Sequence, residues 1–248
     1  AGTDLASPMA CDWLLKWPTL EAAQRARAQT MRSFFYARKC RSAAHIERVI
    51  AAIPTAKPLT QDVAVLAVQP LTVQMLAKQL QLLNKSITAY EQQIQILFRQ
   101  HPDAFLFESL PGAGKTLAPR LLCAFGSDRA RYPSAQNMQT YAGVAPVIER
   151  SGKSCWTHWR WNCPKFLRQT FHEYAKVSIL YSTWARAYYD QQKQRGKRHN
   201  AAIRSLAFKW IRIIHRCWQT RTLYDESLYL QTLAQRGSPL CALIAEPA

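Results

Sequence analysis

A chain of 248 residues is long enough to bury one sizeable core, or one full domain beside a smaller helical part, without disulfides or a structural metal. Its 33 Lys and Arg against 15 Asp and Glu leave a net charge of +18, which points to a polyanionic partner, nucleic acid first among them. No run approaches the roughly 18 consecutive apolar residues of a membrane span, which argues against a membrane partner, and seven scattered cysteines, odd in number, fit reduced thiols in a cytosolic compartment better than a disulfide framework.

The chain opens on Ala1-Gly2-Thr3-Asp4 rather than Met, with no secretory signal, so an upstream segment is expected. Abundant Ala, Leu, Gln and Arg, with few alternating runs, predict a mainly α protein. A first helical segment spans residues 1–58, with Thr19 as the N-cap of a helix through Phe35 and with Pro54 and Pro58 closing the segment. A long coiled-coil helix is expected over 59–100. There Val73, Leu76, Leu80, Leu83, Ile87, Tyr90, Ile94 and Leu97 alternate spacings of three and four, a heptad seam suited to a dimer-forming helix. The alternative is a long helix packed within its own chain.

Residues 101–248 read as a compact helical domain. A short helix over Leu117–Phe125 ends at Gly126, the stretch from Tyr141 to Trp161 is irregular or weakly β, and one helix runs from Lys165 to Gln194 before Gly196. A last helix over Ala201–Trp218, capped by Asn200, buries Ile203, Leu206, Ala207, Trp210, Ile213, Ile214 and Cys217. Lys209, Arg212 and Arg216 share another face that fits a phosphate backbone. Charge concentrates here: Arg150 to Arg221 holds 16 basic residues against Glu173 and Asp190, more one-sided than a solvated helix face usually is.

Several short patterns bear on chemistry. Gly112-Ala113-Gly114-Lys115-Thr116 resembles a phosphate loop, but that loop needs a glycine where Ser109 stands. Leu110 to Gly114 before a helix better fits a helix-hairpin-helix-like turn, in which Gly112, Gly114 and Lys115 meet a DNA phosphate; a plain helix-helix turn is the alternative. Cys155, His158, Cys163 and His172 lack the paired spacings of zinc sites, and no metal ligand is assigned. Trp156, Trp159 and Trp161 are interleaved with Lys153, Arg160 and Lys165, a mixture that can stack on bases and grip phosphates, or simply fill a core. Arg150-Ser151-Gly152-Lys153 offers a hydroxyl nucleophile with Arg150, Lys153 and Arg160 to neutralise developing phosphoryl charge, and Gly152 permits close approach of DNA. By itself such a Ser-Gly pair is more often a turn.

These segments in order, Leu110 to Gly114, Ala118-Pro119-Arg120-Leu121-Leu122, Tyr141 to Pro146, Glu149 to Lys153 and Ala207 to Arg212, closely resemble the C-terminal domain of the bridge-RNA-guided insertion-sequence transposases. The likeness continues upstream through Asp12 to Arg27. It implies a transposase and DNA recombinase in which Ser151 is the catalytic nucleophile, forming a phosphoserine link that strand exchange reseals. Implied partners are DNA, a guide RNA, and a second copy in a homodimer or tetramer joined through the coiled coil. The implied setting is the bacterial cytoplasm at the nucleoid. The family's Asp-Glu-Asp-Asp RNase H-like domain, where Mg²⁺ would bind, belongs upstream. Residues 1–60 offer only Asp4, Asp12, Glu21 and Glu47, so no cofactor is expected within this chain. The competing expectation is a truncated, non-catalytic nucleic-acid-binding remnant.

Overall fold

Short polar residues and prolines punctuate the N-terminal third into brief helices. The computed structural model describes residues 5–245. Ser7 starts α1 (Pro8–Lys16) by accepting the Ala10 N–H at 3.3 Å, with proline in the first turn, where its missing donor costs nothing. Thr19 caps α2 (Leu20–Gln24) through the Ala22 N–H at 3.0 Å. The helix predicted to run on to Phe35 stops at Gln24, and the chain restarts as α3 (Ala28–Ala37). Packing explains the break. A straight helix would carry Phe34 roughly 22 Å along its axis from Thr19, whereas Phe34 lies 5.2 Å from the Trp17 ring and 5.4 Å from that of Trp13. With Phe35, Met31 and Ile46 of α4 (Ala43–Ala52), these rings form a small core of their own.

The predicted long helix is α5 (Val63–Gln100), continuous for 38 residues and opened by Asp62, whose Oδ1 accepts the Ala64 and Val65 N–H groups. Its stripe at Ala77, Gln81 and Asn84 is the one engaged: Ala77 is 1% exposed, Gln81 Nε2 donates to Asp12 Oδ1 at 2.6 Å and Asn84 Nδ2 to the Ala6 carbonyl at 2.7 Å. The heptad seam is left largely uncovered, since Leu76, Leu83, Ile87, Tyr90, Ile94 and Leu97 are all exposed. By length and composition α5 also passes as a membrane span, with an 18-residue stretch of mean hydropathy 1.3. Gln69, Gln74, Lys78 and Gln79 interrupt its apolar residues, however, and the apolar run Val63–Val68 extends for only six residues before Gln69.

The chain divides into two compact units within α5, between Gln93 and Ile94. The second contains α6 (Ala104–Glu108), α7 (Gly114–Phe125), α8 (Ala135–Tyr141), a hairpin of β1 (Val147–Ser151) and β2 (Ser154–His158), α9 (Lys165–Ser178), α10 (Thr183–Gln194), α11 (His199–Thr220), α12 (Glu226–Gln235) and α13 (Leu240–Ala245). The two strands are the whole sheet content among the described residues, so the protein is mainly α. Its core is aromatic: Trp210 of α11 meets Tyr174 of α9 at 5.1 Å and Trp184 of α10 at 4.7 Å, while Phe125 closes the α7 end against Trp218 at 5.4 Å. Trp210 Nε1 donates to Ser178 Oγ at 2.7 Å, so the buried indole leaves no orphan donor.

Three sequence expectations are corrected here. The single helix over Lys165–Gln194 is two, α9 and α10, because the chain turns at Ile179–Ser182 to bring Trp184 over Trp210; Ser182 caps the new start through the Ala185 N–H. Asn200 is not a cap. Helix α11 begins at His199 after Arg198, without a side-chain cap, and Tyr189 Oη bonds His199 Nδ1 at 2.8 Å instead. Helix α7 starts at Gly114 rather than Leu117 and carries Pro119 inside it. A proline there cannot donate to the carbonyl of Lys115, four residues back. Gln95 of α5 supplies the missing donor, its Nε2 lying 2.6 Å from the Lys115 oxygen.

Candidate nucleic-acid interface

The hairpin is set by its turn. Ser151 pairs with Ser154, leaving Gly152 and Lys153 as a two-residue connection, and Gly152 takes φ +56°, as the first central position of such turns requires. A Cβ there would meet nothing within 4 Å, so the tip is open. Ser151, Arg150 and Lys153 are exposed, and Ser151 Oγ has no hydrogen-bond partner among the described residues.

Strand alternation then sorts the side chains. Val147, Glu149 and Ser151 share one face with their partners His158, Trp156 and Ser154, while Ile148 and Arg150 share the other with Thr157 and Cys155. On the serine face, Glu149 pairs with His158 Nε2 at 2.7 Å and accepts from Trp156 Nε1 at 3.1 Å. These bonds hold the Glu149 carboxyl below, and the His158 imidazole above, their ordinary ranges. Arg150 points from the opposite face. The serine is thus accessible, no hydrogen bond among the described residues links its hydroxyl to a base, and no lysine or arginine of the two strands shares its face.

The other predicted positions are spread over the second unit. Gly112, at φ +75°, faces inward: a Cβ would stand 2.6 Å from Tyr181 Cδ2 and 3.0 Å from Val177 Cγ1. Gly114, at φ +53°, is open, and exposed Lys115 follows it in the first turn of α7. Ser109, where a phosphate loop would need glycine, accepts the Tyr224 N–H at 3.1 Å and ties α6 to the segment before α12. On α11, Arg212 and Arg216 are exposed, whereas Lys209 is half-buried with Nζ 4.3 Å from the Tyr188 ring centre, and burial lowers its pKa. Arg160 lies in the loop after β2, its Nε buried without a partner.

That loop leads into a groove absent from the sequence reading as a unit. Trp159, Trp161, Lys165, Arg168, Gln169 and His172 line an open cleft of about 530 Å³. Lys165, Arg168 or Gln169, and His172 follow helical spacing along α9, so this wall was legible in the sequence; the approach of Arg204 from α11 to Trp159, at 4.1 Å, was not.

Metal binding has no such assembly. Among the described residues no three His, Cys, Asp or Glu side chains stand close enough to hold an ion. Asp12 pairs with Arg38 at 2.7 Å, Glu21 with Arg25, and Glu47 with Arg32 at 2.7 Å, while Asp4 lies outside the described residues.

Residues 104–190, from α6 through most of α10 and including the hairpin and groove, match the model of the Transposase IS116/IS110/IS902 family. More particularly, the chain is 31% identical over 145 residues to the "Mini-circle putative transposase for IS117" of Streptomyces coelicolor, covering 58% of this chain and 35% of that protein. It is 30% identical over 159 residues to the IS110 43.6 kDa protein of the same organism, 64% of this chain and 39% of that one. A 75-residue stretch is 40% identical to the pilin gene-inverting protein of Moraxella bovis, 29% of this chain and 23% of the other. The chain therefore spans between about a third and two-fifths of the length of the insertion-element relatives it matches.

Proposed function

We propose that this chain is the DNA-handling part of an insertion-sequence transposase and that Ser151 is its nucleophile. The observation that carries this is the hairpin: inside the family-matched segment, a two-residue turn with glycine first lifts an exposed serine to its tip beside Arg150 and Lys153. In the proposed step Ser151 Oγ attacks a DNA phosphorus, one phosphorus–oxygen bond to deoxyribose breaks, and the departing strand end leaves as a hydroxyl. The serine proton passes to a base outside the hairpin, since none adjoins the hydroxyl here. Attack by a second strand's hydroxyl then reverses the step and reseals DNA without ATP, because the phosphoserine keeps the ester bond energy.

Lys153, at the turn, would bind phosphate oxygens as charge develops on them, and Arg150, Arg212 and Arg216 would hold the DNA backbone. A guide RNA is a second polyanion suited to the same +18 chain. A second copy, joined through the uncovered α5 seam, would bring two such serines to one recombination event in the bacterial cytoplasm.

One observation favours a second reading, binding without cleavage: the face of the hairpin that bears Ser151 carries Glu149, already paired with His158, and no lysine or arginine of the two strands. The two are separated by incubating the chain with Mg²⁺, guide RNA and target DNA and resolving protein-DNA adducts by denaturing electrophoresis. Catalysis predicts an adduct that Ser151→Ala abolishes while DNA binding persists. Binding without any adduct even with the upstream residues restored, or an adduct that survives Ser151→Ala, removes Ser151 from the chemistry.

A further inference from the structure

The groove beyond β2 has a composition suited to a flat, negatively charged ligand. Trp161 is 82% exposed, an unusual cost for an indole unless a partner covers it. Trp159 is already engaged, with the Arg204 guanidinium 4.1 Å from its ring centre, that of Arg168 at 5.6 Å and the His172 ring stacked at 5.9 Å and 23°. It therefore acts as a braced wall, while Trp161 is the open platform. Burial, aided by Arg204 and Arg168, pulls the His172 pKa down to about 4, so the imidazole adds a ring and no charge at neutral pH. The charges lining the groove, Lys165 and Arg168, are both positive, and no carboxylate lines it. Its volume of about 530 Å³ falls in the range of roughly 300–1,000 Å³ typical of sites for small organic ligands.

We propose that this groove takes an unpaired nucleotide of single-stranded DNA, its base stacked on Trp161 and its phosphate held by Lys165 and Arg168. A duplex keeps its bases stacked inside and cannot present one to an indole face. DNA is favoured over RNA by the lining: no hydroxyl or carboxylate side chain lines the groove to read a 2′-hydroxyl, and Gln169 already donates one amide N–H to Glu173 at 2.7 Å. The site begins one residue after β2, the strand paired with the one that carries Ser151. This inference rests on the DNA-handling reading above and extends it to a strand state, in which DNA is opened next to the hairpin.

The test uses the full chain and three fluorescent probes of about 12 nucleotides, a single DNA strand, its RNA counterpart, and the blunt DNA duplex. Trp161→Ala is expected to weaken single-strand DNA binding by roughly 5- to 150-fold, the range for one lost base stack, and to leave duplex binding unchanged. Trp161→Phe should retain most of the affinity, and a 5-iodouracil strand should cross-link to Trp161. Equal weakening for strand and duplex, no weakening of either, or a Trp161-dependent preference for RNA overturns the proposal. Because the readout is binding alone, it is independent of adduct formation at Ser151: loss of one leaves the other standing.

Discussion

At Ser151, accessibility and activation are separate properties, and the hairpin provides only the first. Its hydroxyl projects beside a turn that is open to solvent, and the charged residue two positions before it on the same face is Glu149, held by His158 and Trp156. The Glu149–His158 pair has a pH signature. Because the bond to Glu149 raises the His158 pKa above 6.5, its contribution to the hairpin is full below that value and is lost as pH rises through the higher folded value. An NMR titration should place His158 above a free imidazole, and Glu149→Gln should return it to the ordinary range; a normal His158 midpoint in the wild type would contradict the pairing. The serine and its basic neighbours could be picked out from their order in the chain. Which face each would occupy could not, since alternation assigns faces only once the register is known.

At the scale of elements, α5 shows how a periodic pattern and its packing can part company. The seam at every third and fourth residue was legible, and so was the helix. Which stripe would meet the N-terminal helices was not: the polar residues Gln81 and Asn84 make the bonds, and six seam positions stay in solvent. A row of exposed Leu and Ile is costly for a monomer, and pairing two such rows buries both. Ile87→Glu with Leu83→Glu is expected to shift the sedimentation of the full chain from dimer to monomer without loss of helix content by circular dichroism. A wild-type chain that sediments as a monomer at every concentration would rule out the coiled-coil reading. The missed break between α9 and α10 has the same origin, since no local signal weighs a continuous helix against the burial of Trp184 on Trp210. In α7 the interior Pro119 reads locally as a helix breaker, but Gln95, 20 residues from Lys115, supplies the donor that makes it tolerable.

Across the molecule, the +18 charge is carried by a fold that buries few ionisable groups, and those few govern its acid stability. His172 is largely buried and neutral, with its pKa lowered to about 4, so the unfolded chain binds a proton that the folded one refuses. Stability from this source is complete above pH 6.5 and falls as pH drops towards 4, by about 1–2 kcal/mol given the partial exposure of the ring. Asp103, 3% exposed and held by Arg129 at 2.5 Å, adds a loss at still lower pH, where its depressed carboxyl protonates. Urea midpoints at pH 7 and pH 5 should differ for the wild type, and His172→Phe should flatten the difference; an unchanged slope would place the acid sensitivity elsewhere. What the amino-acid sequence determined alone was the mainly helical class, the long α5 helix and the basic polarity of the second unit. These follow from composition and periodicity, both of them local along the chain. Only the tertiary structure decided that Arg150 and Ser151 lie on opposite faces, that Gly112 packs against Tyr181, and that Trp159 and Trp161 of the loop after β2 meet Lys165, Arg168 and His172 of α9 in one groove, with Arg204 of α11 braced on Trp159. Those outcomes depend on which distant side chains compete for the same buried volume, a free energy that no local pattern contains.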